Sequence, residues 1–275
     1  MGPQSLHRTV LVTGSTDGLG KALACELARR EATVLVHGRS RERLDAVVAE
    51  IAQASGSNRL VPLLADLSSL AAVRGLADEI ATSHGRLDVL VNNAGVGLRE
   101  RAVSQDGYEL TFAVNYLAPY LLTRLLLPIL RQTAAARIVN VASSGQTPVN
   151  FDDVMLEDRY DMTVAYSQSK LALIAFTFEL AQRLRASAEP NVTVNALHPA
   201  TLMPTRLVLE TVGHTVDSLE QGVAATLRLI TDQQLNGISG VYFDGLEQAS
   251  ADPQAYNPDA RRRLWELSER LCEPR

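Results

Sequence analysis

Short β-rich apolar runs alternate with helix-periodic stretches along almost the whole chain, and that alternation rules out most architectures. The strand-like runs lie near 8–13, 33–37, 59–65, 87–91, 136–142, 191–197 and 239–243. Helical periodicity occupies 18–30, 40–55, 68–84, 106–132, 163–187 and 218–233, with a last stretch near 258–271. Strands joined through helices form βαβ units, which build a parallel sheet covered on both faces. No linker, repeat or low-complexity tract divides the 275 residues. The expectation is one α/β domain over 1–275: a doubly wound parallel sheet of about seven strands, a core over about 8–245 and a helical extension over 246–275. Ligands of such sheets bind beyond the C-terminal strand ends, where the strand order reverses. The long irregular stretches 144–163 and 198–217 both follow strand ends and are expected to shape a pocket.

The first unit is the most specific. Thr9-Val10-Leu11-Val12-Thr13 runs into Gly14-Ser15-Thr16-Asp17-Gly18-Leu19-Gly20, and an apolar helical period follows from Lys21. Gly14 permits a sharp exit from the strand, Gly18 a close backbone approach to a pyrophosphate, and Gly20 close packing of helix on sheet. Free amides and the positive end of the helix dipole then face the phosphates. The plainer reading is a glycine-rich turn with no ligand.

A second constellation is Tyr166-Ser167-Gln168-Ser169-Lys170. Residues i and i+4 share one helix face, so a phenol and an ammonium can occupy one small site. A unit charge about 4 Å away at an effective dielectric of ~20 is worth ~4 kcal/mol. That charge is expected to favour the phenolate and bring Tyr166 within reach of proton exchange at neutral pH. The alternative is a packing tyrosine beside a solvated lysine.

With the Gly-x-x-x-Gly-x-Gly spacing, this pair resembles the short-chain dehydrogenase/reductase family. Four further segments match in order: Asp66-Leu67, Asn92-Asn93-Ala94-Gly95, Asn115 within Val114-Asn115-Tyr116, and Ser143 after Arg137–Ala142. The resemblance runs from about residue 8 to about 245 and implies a single Rossmann-type domain. It implies hydride transfer to or from a nicotinamide, coupled to proton transfer at a carbonyl or alcohol oxygen. Tyr166 is then the general acid in reduction and the general base in oxidation. Lys170 lowers its pKa and binds the nicotinamide ribose, Ser143 donates to the substrate oxygen, and Asn115 holds a water linking Lys170 to solvent. Ser144 is the neighbour that could be mistaken for Ser143; alignment with the preceding strand favours Ser143.

For the dinucleotide, the resemblance implies contacts from Gly14, Ser15, Thr16, Asp17, Gly18, Leu19 and Gly20. Asp66 binds the adenine amino group with Leu67 beside it, and Asn93, Ala94 and Gly95 line the ribose side. Tyr166 and Lys170 meet the nicotinamide half, as do Pro199 and the backbone around Leu202. Ala200 replaces the usual glycine after that proline, and Thr205 falls one position later than usual.

Cofactor choice turns on the end of the second strand. Where NAD-selective relatives place an acidic residue, this chain has Gly38 followed by Arg39, whose guanidinium can grip a 2′-phosphate. NADP(H) is expected, with NAD(H) the alternative; Asp17, where NADP-dependent relatives often carry a base, argues the other way. The lengthened interval from Ser143 to Tyr166 resembles the retinol-dehydrogenase-like and related bacterial branches, which implies an apolar carbonyl or alcohol. A silent dinucleotide sensor of the same fold is the competing reading, though Ser143, Tyr166 and Lys170 are all present. An epimerase or dehydratase of the extended branch needs a larger C-terminal domain and a different glycine spacing.

Composition bounds the partners. A net charge of −5 offers no footprint for nucleic acid or an anionic membrane. Cys25 and Cys272 are too few for a disulfide framework and fit a cytoplasmic location. Neither a secretory signal nor the membrane anchor carried by many retinol-type relatives is visible, and the apolar 116–130 stretch reads as a core or subunit-contact helix. The five histidines are dispersed and suggest no metal site. Relatives commonly assemble through the helices bearing Asn115 and Tyr166, which implies a homodimer or homotetramer.

Overall fold

The computed structural model describes residues 6–187 and 191–273; the extreme ends of the expected 1–275 domain lie outside the described residues. One sheet of order β3-β2-β1-β4-β5-β6-β7-β8 forms the centre. Its strands are β1 (Thr9–Val12), β2 (Thr33–Gly38), β3 (Leu60–Leu64), β4 (Val89–Asn92), β5 (Ala136–Val141), β6 (Val192–His198), β7 (Tyr242–Asp244) and β8 (Glu247–Ala249). Seven are parallel, matching the expected count. The eighth, β8, folds back antiparallel on β7 through a turn at Gly245, whose φ is +57°. Three residues with no apolar run gave that strand no sequence signal.

Helices α1 (Gly18–Arg29), α2 (Arg41–Ser55) and α3 (Leu70–Ser83) follow the first three strands. Each has an oxygen-bearing N-cap, Asp17, Ser40 and Ser69, whose side chain accepts an orphan amide of the first turn. After β4 come α4 (Leu110–Phe112), a π turn (Ala113–Leu117) and α5 (Ala118–Leu130). Next are α6 (Met162–Ala186), α7 (Arg206–Thr211), α8 (Leu219–Thr231), α9 (Pro253–Tyr256) and α10 (Pro258–Leu271).

Side chains alternate across each strand. Val10 and Val12 therefore join Leu23, Leu27 and Leu227 in one core with α1, α2 and α8. Leu11 turns the other way, into a second core with α3, α5 and α6. The continuous helical stretch Leu110–Leu130 is apolar enough to span a membrane by composition, yet 83% of its most apolar window is buried inside the fold. It is a core helix.

The strand order reverses between β1 and β4. The crevice at their C-terminal ends is therefore the place where such a sheet binds its ligand.

Candidate active site

The glycine turn leaves β1 into that crevice. Gly14 has φ +63°, and a Cβ there would lie 2.8 Å from the Cα of Ala94. A Cβ on Gly20 would fall within contact distance of the Gly14 carbonyl and the Asn93 amide. Gly18, at φ +49°, faces the Thr205 methyl. Only glycine fits all three positions, and the backbone amides of Leu19 and Gly20 have no protein partner among the described residues. A phosphate cradle needs such a surface of free amides at a helix start.

The turn is stitched from below. Thr13 Oγ1 accepts the amides of Asn93 and Ala94, and Asn93 Nδ2 donates to the carbonyls of Thr13 and Gly14. Gly14 N donates to His37 Nδ1 at 3.0 Å, so Nε2 carries the proton toward the Ala65 carbonyl at 3.2 Å. Burial lowers the His37 pKa to about 4, which keeps the ring neutral. The sequence gives no hint of this role, because the ring meets the turn only once β2 lies beside β1. Ser15, expected at the ligand, is fully buried: its hydroxyl donates to the Val12 carbonyl and accepts the His37 amide. Its side chain locks the turn from inside, leaving only its backbone near the crevice.

The other expected nucleotide contacts lie around the same rim. Asp17 is exposed and caps α1 through Gly18 N at 2.7 Å, while Leu19 and Leu67 are buried core residues that can offer only backbone. Asp66 stands at the end of β3 with Oδ1 taking the Ser68 amide at 3.0 Å. Thr16 packs over Gly38, where an added Cβ would collide with the Thr16 methyl. Arg39, next along, is exposed and makes no hydrogen bond or ion pair among the described residues.

Asn93-Ala94-Gly95 carries the crevice across to the second constellation. A Cβ on Gly95 would lie 3.4 Å from Lys170 Nζ and 3.5 Å from Asn115 Oδ1. Asn115 sits in the π turn, a local widening common at functional sites. Its amide bridges Val96 N (2.8 Å), Val96 O (2.9 Å) and Ser169 Oγ (3.0 Å), pinning the β4 exit to α6.

Tyr166 and Lys170 lie one turn apart on α6. Ser143, after β5, sits by the Tyr166 phenol and pulls its pKa down while its hydroxyl accepts Gly145 N at 3.1 Å, whereas Ser144 turns to His198 Nε2 at 3.4 Å. Of the two serines, Ser143 is the one on the phenol's side. Tyr242 Oη and Gln146 Nε2 both donate to the Ser143 carbonyl at 3.1 Å and fix that residue's backbone.

The lysine differs from expectation. Lys170 is buried and donates to the Val141 carbonyl at 2.8 Å, with Nζ 5.5 Å from the Tyr166 ring centre. Burial raises the phenol pKa against the lowering pull of Ser143, and burial also lowers Lys170 to about 8. Desolvation, not the ammonium field, dominates both groups.

The loop after β6 closes the site. Pro199 is buried, and Leu202 adopts φ +45°, a conformation uncommon outside glycine. Asp217 holds it there: its Oδ2 accepts Thr201 N at 2.6 Å, and its amide donates to the Thr201 carbonyl at 2.9 Å. Gly97 lies between Leu207 of α7 and the Tyr166 ring, each within 3.7 Å of where its Cβ would be. Among the described residues, no cluster could hold a metal ion.

The geometry is thus a free-amide cradle joined through Ala94-Gly95 to a Ser–Tyr–Lys cluster, one site able to seat a dinucleotide and exchange a proton beside it. The short chain dehydrogenase family profile matches residues 8–212. Human retinol dehydrogenase 13 is 37% identical over 96% of this chain and 84% of its own length. A solved structure from Mycobacterium paratuberculosis gives a TM-score of 0.80 at 31% identity, covering 98% of this chain and 95% of that one. The 3-ketoacyl-(acyl-carrier-protein) reductase of Brucella melitensis, solved with NADH, gives 0.69 at 25% identity over 86% of this chain and 96% of that one. By sequence, fold and site, the chain belongs to the short-chain dehydrogenase/reductase family, in its retinol-dehydrogenase-like branch, and is an oxidoreductase that uses a nicotinamide dinucleotide.

Proposed function

We propose that this protein is an NADP(H)-dependent oxidoreductase of the cytosol, acting on an apolar carbonyl or secondary alcohol. The observation that carries the reading is the placement of Ser143 by the Tyr166 phenol, one helical turn before the buried Lys170. The glycine turn and Lys170 would hold the reduced nicotinamide dinucleotide, which would supply the hydride to the carbonyl carbon. Tyr166 gives its phenolic proton to the substrate oxygen, and the Ser143 hydroxyl donates to the same oxygen as its charge grows. Lys170, at about 8, remains mainly cationic at neutral pH and stabilises the phenolate left behind.

Preference for NADP(H) is supported at Gly38 and Arg39. A carboxylate at position 38 would have to displace Thr16, and the neighbouring guanidinium is exposed and unpaired among the described residues. An apolar substrate is supported by Leu207 beside Gly97 and by Leu209, Val212 and Val216 on the covering segment, all three exposed. The free thiols Cys25 and Cys272 support a reducing compartment, and cell fractionation tests it.

Purified protein mixed with NADPH and a panel of carbonyls should consume reduced cofactor, followed by absorbance. Arg39→Ala should raise the KM for NADPH about tenfold and leave that for NADH unchanged. Tyr166→Phe should abolish turnover while NADPH still binds. Unchanged turnover in the phenylalanine variant rejects Tyr166 as the proton donor.

A further inference from the structure

We propose that α10 occupies the face of α5 and α6 through which copies of such a chain would otherwise pair, and so closes that face to a second subunit. This reading is independent of the cofactor and substrate assigned above. The two helices are covered without any partner. Every residue of α6 from Ser167 to Ala181 is buried, and none of the exposed large apolar residues lies on α5 or α6.

Much of that cover is α10. Trp265 stands edge-on to Tyr120 at 5.4 Å and stacks on Phe176 at 5.9 Å. Ser268 Oγ meets Tyr116 Oη at 2.6 Å, in the π turn that carries Asn115. The rim is ionic. Arg124 donates to Tyr120 Oη and Glu269, Arg183 lies 4.0 Å over the Trp265 ring, and Arg261 reaches Glu179 and Gln182 of α6. At its C-terminal end, Tyr108 bonds the Leu271 carbonyl, and just beyond it Arg74 of α3 bonds the Cys272 carbonyl.

An aromatic centre ringed by charge is the anatomy of a subunit interface. Here both sides belong to one chain. A second copy seated on this face would have to displace α10 and leave Trp265 in water. The subunit contact expected from the sequence through these helices is therefore replaced by an internal one.

The sole tryptophan makes the test direct. In the full chain, Trp265 emission should be that of a buried indole and unchanged from low to high micromolar concentration, and α10 amides should exchange slowly throughout. Light scattering at the same concentrations gives the mass. A single-chain mass supports the proposal, as does a dimer whose α5 and α6 protection does not change on dilution. A dimer in which α5 and α6 gain protection while α10 loses it overturns the proposal. Trp265→Lys places a third cation beneath Arg124 and Arg183; it should release α10 and at least double the mass, whereas Trp265→Phe stays like the parent. A folded lysine variant of unchanged mass, with α10 exchanging freely, also overturns it. Should that variant fail to fold, the exchange measurement on the parent chain decides.

Discussion

Replacing Lys170 by methionine should change how stability responds to pH, by an amount the burial of the ammonium sets. Lys170 is 3% exposed, and its pKa falls from 10.5 to about 8 because burial disfavours the charged form. Between those values the unfolded chain holds a proton the folded chain has released. By linkage, the parent therefore becomes more stable as pH rises through about 8 to 10.5. The full difference corresponds to about 3 kcal/mol, and about 2 kcal/mol of it falls between about pH 7 and about pH 9.5. Methionine keeps the length of the side chain and does not titrate, so subtracting its stability removes the contribution of other groups. The assay is urea unfolding of both proteins, followed by circular dichroism across that range. The parent should gain about 2 kcal/mol on the variant as pH rises. A difference that stays constant, or that moves in the variant's favour, would refute the assignment of Lys170 as a desolvated cation.

Gly20→Ala sets a methyl group against the Gly14 carbonyl and the Asn93 amide, and should weaken dinucleotide binding at least about tenfold, read by calorimetry. Ser143→Ala should lower kcat about 100-fold by removing one donor to the reacting oxygen, whereas Ser144→Ala, which faces His198, should stay near the parent. His37 follows the same sign as Lys170 in a lower pH window. Its folded pKa lies below the ordinary 6.5, so its contribution is complete above 6.5 and is lost as pH falls through about 4. About 3 kcal/mol should disappear there in acid unfolding, and His37→Gln should remove that slope.

Local signals were legible in the sequence because local rules produce them. The glycines of the turn are required by positive φ and close packing, and the strand–helix alternation follows from periodicity, so the cradle and the seven parallel strands could be placed before any coordinates. The residues that the resemblance proposes as catalytic lie together in one crevice. What escaped depends on neighbours distant in sequence. His37 gains its role only because β2 lies against the turn, and Tyr242 only because β7 lies beyond β6. Ser15 looked like a ligand contact, but its inward rotamer is fixed by bonds to Val12 and His37. The Tyr166–Lys170 spacing was read correctly as a shared face, yet spacing alone could not show that the ammonium bonds Val141 and that desolvation outweighs its field.

The clamp on the Ser143 carbonyl bears on the order of events during synthesis. Its donors are Tyr242 and Gln146, and Gln146 is in turn held by the amide of Asp252, while Gln254 brackets Val149 from both sides. Chains form from the N-terminus onward. The glycine turn of residues 14–20 and its supports from β2 and β4 are therefore synthesised long before residues 242–254 leave the ribosome. The clamp on Ser143 thus depends on the last part of the chain to be made, well after the glycine turn it stands across from.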